Sequence, residues 1–362
     1  MDKRNNNEVA KRNSTLDIAK GMGMAFVVMF HAKLFPEIFT QFHMPLFAFL
    51  SGYVYREKNN SSLVELRKYV KKKISRCYVP FVVYNGLFLL LHNFLYYIHI
   101  LGPLSGGKIF SVKDSLIQMF KILTMGGGES LPGPMWYLIA MLEFTVLYAV
   151  LRYIVSRKTE NRIKLDVMVT SICMLSLAIG FSNFDFPRML NRAFVLLFYY
   201  NLGYMTYTAF PQLFNNENNA FNRNKLPICI ASLVVLFVGV RGGADWPTFS
   251  AIIVPAGIAG IVITLVLSDF FDKYTKGLRQ VLMYIGKHTM FILGTQYLWF
   301  KVGNTLQVVL QGRDMSWLEM YGVDVQESIG WKTVYFLCGL GIPLVLIKAK
   351  ETFTSFVNRN RG

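Results

Sequence analysis

Charged residues are scarce in this 362-residue sequence, and acidic residues are the scarcest of them. Only 16% of the residues are charged, with 21 Asp and Glu against 38 Lys and Arg. A soluble domain carries roughly 25% charged residues. A soluble protein of this length would bury a good core without such a bias. The composition therefore argues against an ordinary soluble enzyme and favours a chain whose solvent is lipid.

Cysteine is equally rare, and the four residues are scattered at Cys77, Cys173, Cys229 and Cys338. They form neither a CxxC pair nor a Cys/His cluster, so the sequence predicts no disulfide framework, no zinc site and no other metal. The sequence also lacks an internal repeat and a loop long enough to be a separate soluble domain. We expect one integral-membrane domain over 1–362, with a polar cytoplasmic N-terminus over 1–14, no cleavable signal peptide, and a cytoplasmic tail over 348–362.

Apolar residues make up 53% of the sequence, including 30 Phe and 19 Tyr. Several apolar runs approach or exceed the roughly 20 residues that cross a bilayer. The predicted fold class is all-α, a polytopic membrane bundle of about ten transmembrane helices. The ten spans are placed at 16–35, 38–55, 78–100, 135–151, 166–182, 190–210, 226–240, 248–268, 284–303 and 330–347.

The net charge of +17 raises the question of a nucleic-acid partner, but its distribution points elsewhere. With the N-terminus inside, the cytoplasmic segments hold 26 of the Lys and Arg residues and the external segments hold eight. This bias follows the positive-inside rule. It predicts that both termini are cytoplasmic, and it accounts for the basic character without any nucleic acid.

The first predicted span carries three ionisable residues on one face, Asp17, Lys20 and His31. Lys20 and His31 are eleven residues apart, which at about 100° per residue is close to three full turns. The rise between them is about 16 Å, so Lys20 lies near the inner surface and His31 well across the membrane. Asp17 and Lys20 also fit a simple interfacial ion pair, and His31 also fits a helix-packing role. An imidazole deep in a span more often handles protons.

The second span contains His43 followed by Pro45, and then the small pair Ser51-Gly52. Proline early in a span starts or kinks a helix, and small residues allow helices to pack closely. These features are mostly structural. His43 is a second polar group near the outer face, with either a packing role or a direct role.

A basic run from Arg67 to Arg76 precedes the third span. Lys73 and Arg76 are three residues apart and share a helical face, with Lys72 beside them. The run fits a flank that binds anionic lipid headgroups. It fits equally well a docking patch for a phosphorylated cytosolic ligand, with Lys72, Lys73 and Arg76 as its contacts.

Two residues near the fourth span are also candidates. Trp136 follows Pro134 and fits an interfacial aromatic belt, while Glu143 lies within the span and should face the protein interior. The preceding external segment 101–134 is rich in Gly and Pro. Irregular backbone at membrane depth is tolerated only where it lines a cavity, so this segment could fold back into the membrane over one.

Together these motifs resemble acyltransferase family 3, the polytopic membrane acyltransferases, and most closely its single-domain, fucose 4-O-acetylase-like members. The resemblance rests on Leu16–Gly21 leading to His31, with ten residues between Lys20 and His31, on Phe42–Phe47 with the small pair, and on the basic run before Pro80. Two later segments, 136–138 and 284–289, look like further landmarks of the family. The resemblance extends over nearly the whole chain.

The resemblance implies an O-acetyltransferase of a bacterial cytoplasmic membrane, with acetyl-CoA as the acyl donor and a surface polysaccharide, lipid-linked glycan or glycolipid as the acceptor. Lys20 and His31 take the positions of the family's catalytic pair, with Asp17 beside them. His31 would act as general base on the acceptor hydroxyl or briefly carry the acetyl group.

His43, Trp136 and Glu143 are the expected acceptor contacts, and membrane lipid is a further partner. The acyl group and the oligomeric state, including a homo-oligomer, stay open.

The sequence departs from the family in three places. Lys20 stands where many members have Arg. Lysine keeps the positive charge but lacks the planar guanidinium. Gln296 is the nearest polar residue to a position where the family often has His. The sequence stops at Gly362, and we expect no external esterase-like domain of the kind that some members carry. The leading alternative is a transporter or flippase for a glycan or small molecule, which would also use His31 but would not explain the basic run.

Overall fold

The computed structural model describes residues 13–105, 107–211, 223–243, 252–320 and 328–359, and every regular element in these ranges is helical. The predicted all-α class is therefore confirmed for the described chain. The α-helices are α1 Ser14–His31, α2 Pro36–Phe39, α3 His43–Tyr53, α4 Leu63–Lys73, α5 Val79–Tyr97, α6 Val112–Leu123, α7 Trp136–Ser156, α8 Arg162–Gly180, α9 Leu190–Ala209, α10 Lys225–Arg241, α11 Ile253–Tyr274, α12 Lys276–Lys287, α13 Thr289–Leu310 and α14 Ile329–Arg359.

Five helical stretches of the described chain are long and apolar enough to cross a membrane. They are Leu63–Tyr97, Gly133–Ser156, Arg162–Gly180, Ile253–Tyr274 and Ile329–Arg359. The chain is thus a multi-pass membrane protein. Each of the ten predicted spans contains a helix, but α3 has only 11 residues and rises about 16 Å, half of a bilayer core. The count of ten and the inside position of both termini stay predictions.

The predicted ninth span begins five residues too early. Residue 284 lies in α12, and α13 begins only at Thr289, after a break at His288. The reason is that α12 is amphipathic: it buries Leu282 and Ile285 on one face, while Lys276, Gln280 and Lys287 are exposed. Such a helix packs along the bundle and does not continue the apolar span that follows it.

Two glycine contacts bring helix backbones together around the first and third helices. A Cβ on Gly21 of α1 would lie 1.9 Å from the carbonyl oxygen of Leu282 in α12. A Cβ on Gly52 of α3 would lie 1.9 Å from the carbonyl oxygen of Tyr200 in α9. Only glycine permits these approaches, so the small residue of the Ser51-Gly52 pair has the packing role predicted for it.

The basic run is helical and continues into the third span. Helix α4 joins α5 through a π-helical turn, Ile74–Tyr78, which carries Arg76 and Cys77. Pro80 explains the irregularity, because it has no N–H to donate to the carbonyl of Arg76 four residues earlier. Single π-turns of this kind are frequent at functional sites.

The connection 98–135 folds back along α5. Tyr78 Oη donates to the carbonyl of Leu123 at 2.9 Å, near the start of α5. His92 Nδ1 lies 2.8 Å from Glu129 Oε2, near the other end. The two contacts are separated by about 20 Å along the helix. The connection therefore returns along most of α5, while its position in the membrane over a cavity stays a prediction.

A buried arginine ties several helices together. Arg152 of α7 is 1% exposed. Its guanidinium lies 2.9 Å from Asp166 of α8 and 3.4 Å from Glu57 before α4, and it stacks on the Tyr204 ring of α9 at 4.3 Å. Because a buried charge is tolerated only when it is paired, this network fixes α7, α8 and α9 to the segment that leads into the basic run.

Candidate functional site

A cavity of about 380 Å³ lies between α1, α3, α7 and α13, with the α4–α5 turn closing one side. We call it the central cavity. Its inner end is charged. Asp17 and Lys20 of α1 meet Lys73 and Arg76 there, and Ser51 of α3 lies on the same wall. The structure thus brings together four of the predicted site residues, from two segments far apart in sequence, and gives this end an excess of positive charge.

Most of the remaining wall of the central cavity is apolar. Four methionines line it, Met24, Met44, Met141 and Met290, one from each of the four surrounding helices. Methionine has an unbranched and adaptable side chain, which suits a wall that must accept a flexible ligand. A slender, mostly apolar chain would be compatible with this wall.

The outer end of the central cavity leads to a polar group on each of three helices. On α1, Lys20, Met24 and Val27 line the cavity, and His31 is the next residue on the same face. On α13, Leu293 lines the cavity and Tyr297 follows it by one turn.

On α3, Met44 lines the cavity and His43 adjoins it on the outer side. His31, Tyr297 and His43 therefore lie just beyond the end of the cavity that faces away from Lys73 and Arg76.

His31 is held at one ring nitrogen. Its Nδ1 lies 2.8 Å from Tyr297 Oη, and the two rings meet edge to face, with centroids 5.1 Å apart and planes at 89°. Among the described residues, Nε2 of His31 is buried and has no hydrogen-bond partner. Buried polar atoms are nearly always paired in native proteins, so an unpaired one beside a cavity marks a place for a ligand atom.

His43 is buried and its Nδ1 bonds to the carbonyl of Phe39. That contact fixes Nδ1 as the protonated nitrogen, because a carbonyl can only accept. The ring stacks on Phe30 with centroids 4.7 Å apart. His43 thus sits beside His31 but is tied into the helix packing.

Three predicted site residues lie away from the cavity wall. Lys72 is on the exposed face of α4. Trp136 lies under the guanidinium of Arg192, 4.2 Å from the ring centroid. Glu143 shares the Trp136 face of α7, seven residues further on. That face does not line the cavity, whereas Tyr137, the residue directly after Trp136, does.

Two tyrosines of the site were missed by the sequence reasoning. Tyr297 is adjacent to Gln296, which drew attention as a departure from the family, and it contacts His31. Tyr137 is 4% exposed, lines the cavity, and its hydroxyl has no partner within the described part of the chain. Tyrosine is so common in this sequence that neither residue stood out. The stripe Thr289, Leu293 and Tyr297 could have indicated the first of them.

A protein-family model described as an acyltransferase domain matches residues 13–348. The chain belongs to acyltransferase family 3. Neither a curated relative nor a solved structure matches it. Family membership makes acyl transfer onto a hydroxyl the general chemistry of this acyltransferase, and the central cavity lies inside the matched region. Within the ranges that the structure describes, the acyltransferase has no group of His, Cys, Asp and Glu that could hold a metal ion.

Proposed function

We propose that this acyltransferase moves an acetyl group from cytosolic acetyl-CoA to a hydroxyl of a cell-surface or lipid-linked glycan at the bacterial cytoplasmic membrane. The observation that carries the proposal is the central cavity itself. It has a cationic end, with Lys20, Lys73 and Arg76, and Val27 lines it one helical turn before His31. The cavity therefore offers contacts for an anionic ligand at one end, and the proposed base lies one turn beyond its lining on α1.

The donor fits this polarity. The phosphates of CoA are anions that arginine and lysine bind through charge-assisted hydrogen bonds, and Lys73 and Arg76 lie at the cationic end. The pantetheine arm is slender and uncharged, and its methyl and methylene groups suit the methionine-rich wall. The rise from Lys20 to His31 is about 16 Å, so an extended arm is needed to bring the thioester beside the imidazole.

The transfer follows from the position of His31. The acceptor hydroxyl oxygen attacks the thioester carbonyl carbon while His31 Nε2 takes the hydroxyl proton. The carbon–sulfur bond then breaks, the new ester forms, and the CoA thiolate leaves and takes up the proton. General-base assistance of this kind contributes about 10²–10⁴-fold. Lys20 and Asp17 remain the proposed catalytic partners of His31, and His43, Trp136 and Glu143 remain proposed acceptor contacts.

A transporter or flippase is the rival function, and acetyl-CoA binding separates the two. The acyltransferase, purified in detergent, should bind acetyl-CoA in a calorimetric titration. Mass spectrometry of surface glycans should show an acetyl ester that disappears when the gene is deleted. Absence of acetyl-CoA binding, with unchanged glycan acetylation in the deletion strain, would contradict the proposal and favour the rival.

A further inference from the structure

We propose that Tyr297 is the positioning residue for His31: its hydroxyl oxygen accepts the Nδ1 proton of the imidazole, which leaves Nε2 as the nitrogen that takes the acceptor's proton. The inference rests on the proposed function, because it assigns a partner to the base of that reaction. It adds a residue from α13 to a site otherwise assigned to α1, α3, α4 and α7.

The contact geometry supports a hydrogen bond and not merely ring packing. The Tyr297 oxygen lies 2.8 Å from Nδ1 of His31, within the usual range for such bonds. A neutral imidazole has one nitrogen that donates and one that accepts. Whichever nitrogen bonds to Tyr297, the other faces away from it. The contact therefore separates the two nitrogens of His31 into one that is engaged and one that is available.

Only one tautomer allows His31 to act as a base through the available nitrogen. If Tyr297 donated its proton to Nδ1, Nε2 would carry the ring proton and could not take another. If Nδ1 donates to the tyrosine oxygen, Nε2 keeps its lone pair. Fixing tautomer and ring orientation through the far nitrogen is the general way in which enzymes prepare a histidine base.

Tyr297 is itself held by packing. Its ring packs against the buried cluster of Phe88, Leu95, Leu101 and Leu131, and Leu131 belongs to the connection that folds back along α5. Gly133 of the same connection lies against the ring, since a Cβ there would be 3.4 Å from its edge. A side chain confined on several sides can hold the imidazole in one orientation.

The test is Tyr297→Phe, which removes the hydroxyl and keeps the ring. The assay uses membrane vesicles of the deletion strain in which the variant is expressed. It measures the transfer of radiolabelled acetyl from acetyl-CoA to the glycans of those vesicles. We expect kcat to fall about tenfold or more, because a buried Nδ1–H loses its acceptor. The KM for acetyl-CoA should stay within about twofold, since the hydroxyl lies away from the cationic end. Tyr84→Phe is the matched control: that ring packs on α13 at Gly294, one turn below, and should leave kcat unchanged.

A double mutant distinguishes positioning from a general structural effect. If Tyr297 acts only through His31, adding Tyr297→Phe to His31→Gln should cause no further loss of rate. Additive losses, or a wild-type kcat in Tyr297→Phe alone, would overturn the inference. The two proposals fail separately. Near-normal turnover in His31→Gln contradicts the base assignment, whereas an inactive His31→Gln with a normal Tyr297→Phe contradicts only the role of Tyr297.

Discussion

The charged end of the central cavity makes a quantitative prediction about donor binding, because neighbouring lysines of one helix differ in position. Lys73 and Arg76 line the cavity, whereas Lys72 lies on the exposed face of α4. Replacing each in turn by alanine changes the charge of the segment by the same amount. Any difference in acetyl-CoA binding among the three variants must therefore come from position.

The size of the effect follows from the type of contact. A hydrogen bond to a charged group contributes about 1.5–3 kcal/mol, and about 1.4 kcal/mol is a factor of ten in affinity. Arg76 is exposed at the mouth, so solvent screening places it at the low end. We expect Arg76→Ala to raise the Kd for acetyl-CoA about tenfold and Lys73→Ala at least as much. Lys72→Ala should raise it by less than about threefold, since it loses only a screened interaction.

Calorimetric titration of the purified variants measures these constants, and thermal unfolding verifies that each variant is folded. Raising the salt concentration should weaken acetyl-CoA binding by the wild type more than acetyl-CoA binding by the Arg76→Ala variant. The variant has one fewer charge for salt to screen. Equal effects of all three substitutions would refute the reasoning, since the run would then act as a diffuse positive field. If the Kd for acetyl-CoA is unchanged in all three variants, the basic run binds lipid headgroups and not the donor.

Three further predictions concern stability and topology. Arg152→Met should destabilise the acyltransferase by about 1–3 kcal/mol in thermal unfolding, because the partly buried Asp166 loses its counter-ion, while the exposed Arg157→Met should have little effect. Gly21→Ala should lower both stability and activity, because α1 must move away from α12, whereas Gly86→Ala, with no atom within 4 Å of the added carbon, should be neutral or stabilising by about 0.5–1 kcal/mol. A reporter fused after Gly362 should give a cytoplasmic signal, and an external signal would contradict the predicted orientation of the C-terminus.

Much of the fold was predictable because hydropathy and helical periodicity are local properties of the sequence. Every predicted span contains a helix, and Lys20 and His31 lie on one face of α1 as their spacing required. The start of α13 was not predictable in the same way. Apolar residues of the amphipathic helix α12 directly precede α13, so local hydropathy does not separate the two helices. The packing of α12 against Gly21 of α1 does.

The site was predictable only in part, for a related reason. Lys73 and Arg76 are placed by local helical geometry, and so is their separation from Lys72. The contact between His31 and Tyr297 joins residues 266 positions apart, and no periodicity within one helix reports such a pairing. The sequence predicts Trp136 as an acceptor contact from its chemical type. The cavity is lined instead by its neighbour Tyr137, because the rotation of α7 decides which face turns inward.

The central claim is that His31 takes the acceptor's proton, and His31→Gln tests it most directly. Glutamine keeps a polar side chain of similar reach but cannot accept the proton. We expect normal expression and acetyl-CoA binding, while acetyl transfer into membrane glycans falls at least about a hundredfold. Acetyl transfer by His43→Gln should fall less, because the His43 imidazole is hydrogen-bonded to the carbonyl of Phe39. Transfer by His31→Gln at a rate near that of the wild type would contradict the mechanism, even though membership of the family would stand.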